Sequence, residues 1–173
     1  MKYLNKITLL NGDEYDFLKN KKELYLTILE NDEKNRIFPR EISKVDDNIK
    51  NMAWLPPNLG EWVNQNVIFF LFNNNLLASM DIFKQLFPEK ANKKITLDDM
   101  NEIELQIFGL IFALLNLKEE NVVILDNIDK KFDDKTLKNL FFDILKIIHK
   151  KINKEYQYFI LTNSEYLLNL KEW

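Results

Sequence analysis

The chain has 173 residues and is 46% hydrophobic, a length and composition that suit one domain with a sizeable core. Its 24 basic and 27 acidic residues give a formal net charge of -3. That balance argues against broad contact with a nucleic-acid backbone, which needs a basic surface. There is no cysteine and a single histidine, His149, so disulfides, thiol catalysis, thiolate metal sites and multi-histidine metal centres are excluded.

The first residues, Met1 to Lys6, turn polar too early for a signal peptide. The apolar run Val67 to Phe72 is six residues, far short of the roughly 20 that cross a bilayer. The expectation is a soluble cytoplasmic protein, peripheral at most to the inner face of the cell membrane through a partner. Residues 2–10 alternate loosely, and with Gly12-Asp13 behind them they predict a strand and a turn. Glu23 to Leu29 predicts a second strand. Arg36 to Arg40 predicts a short third one, confined to an edge by Pro39. Met52 to Leu55 is a brief apolar segment stopped by Pro56-Pro57.

From Gly60 the pattern turns helical. Glu61 to Asn74 is largely apolar, and Met80 to Phe87 is amphipathic and closed by Pro88. Thr96 is expected to begin the longest helix, because Thr96 and Asp99 have the spacing of a capping box. Between Leu105 and Leu117 that helix is apolar almost all round, which predicts burial between other elements. Val122 to Leu125, four apolar residues in a row, predicts a strand buried on both faces, as in a parallel sheet. A helix over 134–151 follows, with Leu137, Leu140, Phe141, Ile144, Leu145 and Ile148 on one face. Tyr158 to Leu161 is the next strand, and Glu165 to Leu170 a short terminal helix. Strand, helix and strand in this order imply a right-handed crossover and a parallel pair.

These residues carry a resemblance. Val122-Val-Ile-Leu-Asp126-Asn127 resembles the Walker B element of the ABC transporter ATPase family, four apolar residues followed by Asp and Glu. Asp133 lies seven residues after Asp126, where the family has its D-loop aspartate. Phe159-Ile-Leu-Thr162-Asn163 resembles the strand that ends in the family's switch histidine, with Asn163 in the place of the histidine. Upstream, Asn48 to Pro57 resembles the strand leading into the Q-loop, with Pro57 near the glutamine's position, and the helix after Asn66-Val67 resembles the start of the helical subdomain. The resemblance implies an α/β, P-loop-NTPase-like (ABC ATPase-like) core of parallel strands and helices. It implies one domain over 1–173: a strand-rich part at 1–57, whose first 40 residues are a shortened antiparallel β part, a helical subdomain at 60–96, and a Walker B, D-loop and switch part at 97–173.

The departures from the family point one way. None of the three glycines, Gly12, Gly60 and Gly109, begins a G-x-x-x-x-G-K-[ST] phosphate loop. Asn127 stands where the family has its catalytic glutamate, and an amide cannot take a proton from water at neutral pH. Asn163 replaces the histidine, and no signature glycines occur in Asp98 to Glu104. The expectation is therefore a pseudo-ATPase with no cofactor, no metal and no catalytic residue. It would serve as a structural or regulatory subunit and contact a membrane permease, an active ATPase subunit or a second copy of itself, without direct nucleic-acid binding. Phe69, Phe70, Phe72, Phe83 and Phe87 are the candidate partner surface, with burial in the core as the alternative. Other readings stay open: Asp126 as a strand-end cap, Asn127 as a turn former, Asp133 and Asn163 as helix caps. So do an ABC or AAA+ type switch completed by a partner chain, and a nucleotide-independent interaction module of phage or plasmid origin.

Overall fold

Val122 to Leu125 are all fully buried and form the middle of a parallel sheet, as four uninterrupted apolar residues require when both faces are covered. In the computed structural model the described residues are 6–8, 14–16, 18–19, 25–30, 52–65, 75–117, 122–133, 140–152 and 157–169. They form β1 (Lys6–Thr8), β2 (Glu14–Asp16), β3 (Leu18–Lys19), β4 (Tyr25–Glu30), β5 (Met52–Leu55), α1 (Leu59–Gln65), α2 (Asn75–Leu86), α3 (Glu102–Leu115), β6 (Val122–Asp126), α4 (Phe142–Ile152), β7 (Gln157–Thr162) and α5 (Glu165–Leu168). Two compact units result. A sheet unit takes Met1–Pro57, Lys118–Lys130 and Lys154–Trp173, and a helical unit takes Asn58–Leu117 and Lys131–Asn153. No helix among the described residues is long and apolar enough to cross a membrane.

In the sheet unit the strand order is β3-β4-β7-β6-β5. The neighbours β4 and β7, β7 and β6, and β6 and β5 are all parallel, and β3 adds an antiparallel edge. The expected parallel pair of β6 and β7 is present, with Val122 opposite Gln157 and Asp126 opposite Leu161. The fold is thus α/β with a parallel sheet. One expectation needs correcting. The first 40 residues are not purely antiparallel: β1 and β2 form an antiparallel pair of their own, but β4 joins the parallel sheet beside β7. Its composition, Tyr-Leu-Thr-Ile-Leu, suits such a position. The proposed strand over 36–40 lies outside the described residues.

The helical unit is organised by α3. Its residues Gln106 to Leu114 are all buried, and it packs against α1, α2 and α4. Its contact with α1 is backbone against backbone. A Cβ on Gly109 would lie 2.9 Å from the carbonyl carbon and oxygen of Leu59, and one on Gly60 would lie 2.9 Å from the amide nitrogen of Gln106. The side-chain carbonyl of Gln106, itself fully buried, accepts the Gly60 N–H at 2.9 Å. This satisfies one of the amides that a helix start leaves without an intrahelical partner. At the other end of α3, the Asn75 amide donates to the Leu115 carbonyl at 3.2 Å and to the Asn116 side chain at 3.1 Å, tying α2 to α3. Phe83 sits between Phe87 and Phe108, at ring distances of 4.6 and 6.3 Å.

Helix α3 does not start at Thr96. The Asp99 carboxylate does accept the Thr96 N–H at 2.9 Å, but the turn it closes, Leu97–Asp99, is a single 3-10 turn. Met100 then returns to extended backbone, with ψ 136°. The helix is capped afresh by Asn101, whose side chain accepts the Glu104 N–H at 2.8 Å while Glu104 accepts the Asn101 N–H at 3.1 Å. Glu104 also pairs with Lys90, so the second box is tied to the rest of the unit and the first is solvent-exposed. Elsewhere, α2 begins at Asn75, earlier than the amphipathic pattern from Met80 indicates. Of the helix expected over 134–151, residues 134–139 lie outside the described residues.

Two substitutions test this packing. Gly109→Ala gains about 1 kcal/mol of helix propensity, but the clash is with rigid backbone, where overpacking costs ~1–3 kcal/mol. The expected net result is a lower urea midpoint; an unchanged or raised midpoint contradicts the close approach. Asn101→Ala removes the true cap and should cost ~1 kcal/mol, whereas Thr96→Ala, at the exposed box, should cost a smaller amount.

Candidate functional site

The carboxyl ends of β4, β5, β6 and β7 lie at one edge of the sheet, because the four strands are parallel and in register. In open α/β sheets this is the edge that receives ligands. Trp54 of β5 is opposite Ile124, and Asp126, two residues further along β6, is on the same face. The Trp54 indole N–H donates to Asp126 Oδ2 at 3.2 Å, and 46% of Trp54 is exposed.

After Asp126 the chain turns sharply. Asn127 has φ 49° and is the only non-glycine residue described with positive φ. Its N–H donates to the Leu161 carbonyl at 2.9 Å, and its own carbonyl accepts the Lys130 N–H at 3.0 Å. The left-handed region is costly for most side chains and least so for Asn, Asp and Gly. Asn127 is therefore the residue the backbone needs, which favours the turn-forming reading of this position.

The turn delivers Asp129 into a buried position, 5% exposed. Asp129 Oδ2 accepts the Thr162 hydroxyl at 2.5 Å. Thr162 Oγ1 in turn accepts the Ser164 N–H at 3.0 Å, and Ser164 Oγ accepts the Leu167 N–H at 3.4 Å as the cap of α5. Asp129 Oδ1 is buried with no hydrogen-bond donor among the described residues. Burial pushes the Asp129 carboxyl above its ordinary range, against the opposing pull of the Thr162 hydroxyl and its own backbone amide.

The sequence-derived positions divide. Asp126, Asn127, Asn163 and Pro57 all stand at the ends of sheet strands, and Asn163 is exposed just beyond β7. Asp133 is exposed and belongs to the helical unit. Phe83 is fully buried and Phe87 half-buried against it, so the aromatic surface cannot include Phe83 and these two belong to the packing of α2 on α3. Phe69, Phe70 and Phe72 lie outside the described residues. The large apolar side chains exposed among the described residues are Trp54, Trp62, Leu77 and Leu168. Sequence reasoning missed Asp129 and the role of Thr162. The available signal was the acid three residues after Asp126, but its burial depends on a contact with a residue 33 positions away. Among the described residues no three His, Asp or Glu side chains come together as a metal site would require. In comparison with known proteins, no family model matches the chain and no curated protein matches it significantly.

The positive φ gives a direct test. Asn127→Gly should leave the denaturation midpoint within a few tenths of a kcal/mol of the original, because glycine adopts this conformation freely. Asn127→Glu places an ordinary side chain there and should cost about 1–2 kcal/mol. Equal stability of the glutamate variant would mean that the backbone does not dictate this residue.

Proposed function

We propose that the protein is a catalytically inert, ABC-ATPase-like subunit that works by contacting other proteins. Its partner would be a membrane permease, an active ATPase subunit or a second copy of the chain. The observation that carries the proposal is an acid-ending strand at the ligand-receiving edge of a parallel sheet, in a chain whose sequence holds no glycine-rich phosphate loop. A phosphate loop follows the carboxyl end of a strand and needs glycines so that successive backbone N–H groups can point at the phosphates. The residues that follow β4, Asn31-Asp-Glu-Lys-Asn-Arg36, contain no glycine. Gly60 and Gly109 are both held in the crossing of α1 and α3.

The chemistry of hydrolysis is also unsupported at the two other positions. An amide at Asn127 cannot act as a base, and its left-handed backbone disfavours the glutamate that could. Asn163 offers an amide where the family has its histidine. Asp126 is hydrogen-bonded to the Trp54 indole, so it has a packing role that needs no metal or nucleotide.

A ligand that binds only the folded chain raises the melting temperature, by an amount that grows with the logarithm of its concentration above Kd. ATP with magnesium at millimolar concentration should leave the melting temperature of the purified protein unchanged. A rise of several degrees, accompanied by phosphate release, would overturn the proposal. A rise without turnover would point to retained nucleotide binding and equally contradict the loss of the phosphate site.

A further inference from the structure

Trp54 is exposed and yet pinned. Its indole N–H donates to Asp126 Oδ2 at 3.2 Å in a solvent-exposed hydrogen bond, while 46% of the residue stays accessible. We propose that Trp54 and Asp126 together form the contact point for a basic partner protein, taking one of its arginine side chains, which lies on the indole and faces the carboxylate. This rests on the reading that the chain works by contacting other proteins, and names the place and the chemistry of the contact.

The backbone explains why the pair exists. β5 is at the end of the five-stranded order, with β6 as its parallel neighbour. An edge strand has a strand neighbour on one side only, so Trp54 can reach Asp126 on β6 and still remain half exposed. With the N–H committed, what the residue offers to solvent is aromatic carbon. A tryptophan already held in one orientation loses little further freedom when a partner covers it, which is why rigid aromatics dominate the centres of interfaces.

Charge decides the occupant. The helical unit holds equal numbers of acidic and basic residues, so the net charge of -3 falls on the sheet unit. At its carboxyl edge β4 ends in Glu30, β6 ends in Asp126, and α5 opens with Glu165 just past β7. Among the described residues of the sheet unit at that edge, Lys130 is the basic one. An apolar partner surface would strip water from the Asp126 carboxylate, which is costly, and an acidic surface would be repelled. A cation suits both members of the pair, because the ring face attracts it through its quadrupole and the carboxylate through its charge. Donation of the indole N–H to a carboxylate also pushes electron density into the ring and strengthens that attraction. Arginine suits the pair better than lysine, since a planar guanidinium stacks on an aromatic face while its N–H groups point at a carboxylate.

Titration of nitrogen-labelled protein with tetra-arginine and tetra-lysine peptides at one ionic strength separates this contact from general attraction between charges. The Trp54 indole N–H signal should move saturably with tetra-arginine. The arginine peptide should bind about two- to fivefold tighter than the lysine peptide, the range that a stacked cation contributes at an exposed site. In Trp54→Leu that preference should vanish. Asp126→Asn, whose amide oxygen still accepts the indole N–H, should weaken the binding of both peptides. A stationary Trp54 signal, equal affinities for the two peptides in the unaltered chain, an undiminished preference in Trp54→Leu or undiminished affinity in Asp126→Asn would each overturn the contact. Such a failure leaves the wider reading standing as long as ATP does not raise the melting temperature, whereas an ATP-induced rise strikes that reading whatever the peptides do.

Discussion

The helical unit depends on the close crossing of α1 and α3. Two helices can approach until backbone meets backbone only where no Cβ intervenes, and both described glycines stand at this contact. Gln106 completes it by lending its carbonyl to the Gly60 N–H inside the core. The consequence reaches beyond packing. A chain with three glycines that fixes two of them in a helix crossing has little left with which to build a backbone cradle for phosphate. The same residue type that an ATPase places beside a triphosphate is here committed to holding two helices together.

In the sheet unit the corresponding constraint is the parallel register. It sets the ends of β5, β6 and β7 side by side and so brings Trp54, Asp126 and Thr162 to one edge, although they come from distant parts of the sequence. Several of the described groups at that edge satisfy one another. Trp54 holds Asp126, Asn127 extends the ladder to Leu161, and Thr162 holds Asp129. Catalytic edges of this kind ordinarily leave groups poised for a substrate. Here Asp126 and Asp129, among the described residues, accept from Trp54 and Thr162 of neighbouring strands.

Much of this was legible because strong apolar periodicity survives tertiary context. Val122 to Leu125 could only be a buried strand, and the face formed by Phe141, Ile144, Leu145 and Ile148 could only be the inner side of a helix; all eight residues are buried. The start of α3 was misplaced because two capping boxes lie five residues apart, Thr96 with Asp99 and Asn101 with Glu104, and local spacing cannot rank them. The second governs the long helix since Glu104 is also paired with Lys90, a contact made 14 residues away. The role of Gln106 leaves no sequence pattern, because the Gly60 amide it accepts from is 46 residues away on α1. At the sheet edge, Asp126 and Asn127 were singled out as remnants of a nucleotide site, yet positive φ alone accounts for Asn127. Asp129 passed unnoticed because its burial is a property of the folded turn and leaves no periodic trace.

The proposal that this sheet edge does not hold a triphosphate can be tested at the residues concerned. Nitrogen-labelled protein titrated with ATP and magnesium gives separate signals for the Trp54 indole N–H bonded to Asp126 and for the Asn127 and Ser164 amides. Loss of nucleotide binding predicts that all three stay in place up to millimolar nucleotide. Saturable movement of the three together would contradict it and restore the edge as a nucleotide site.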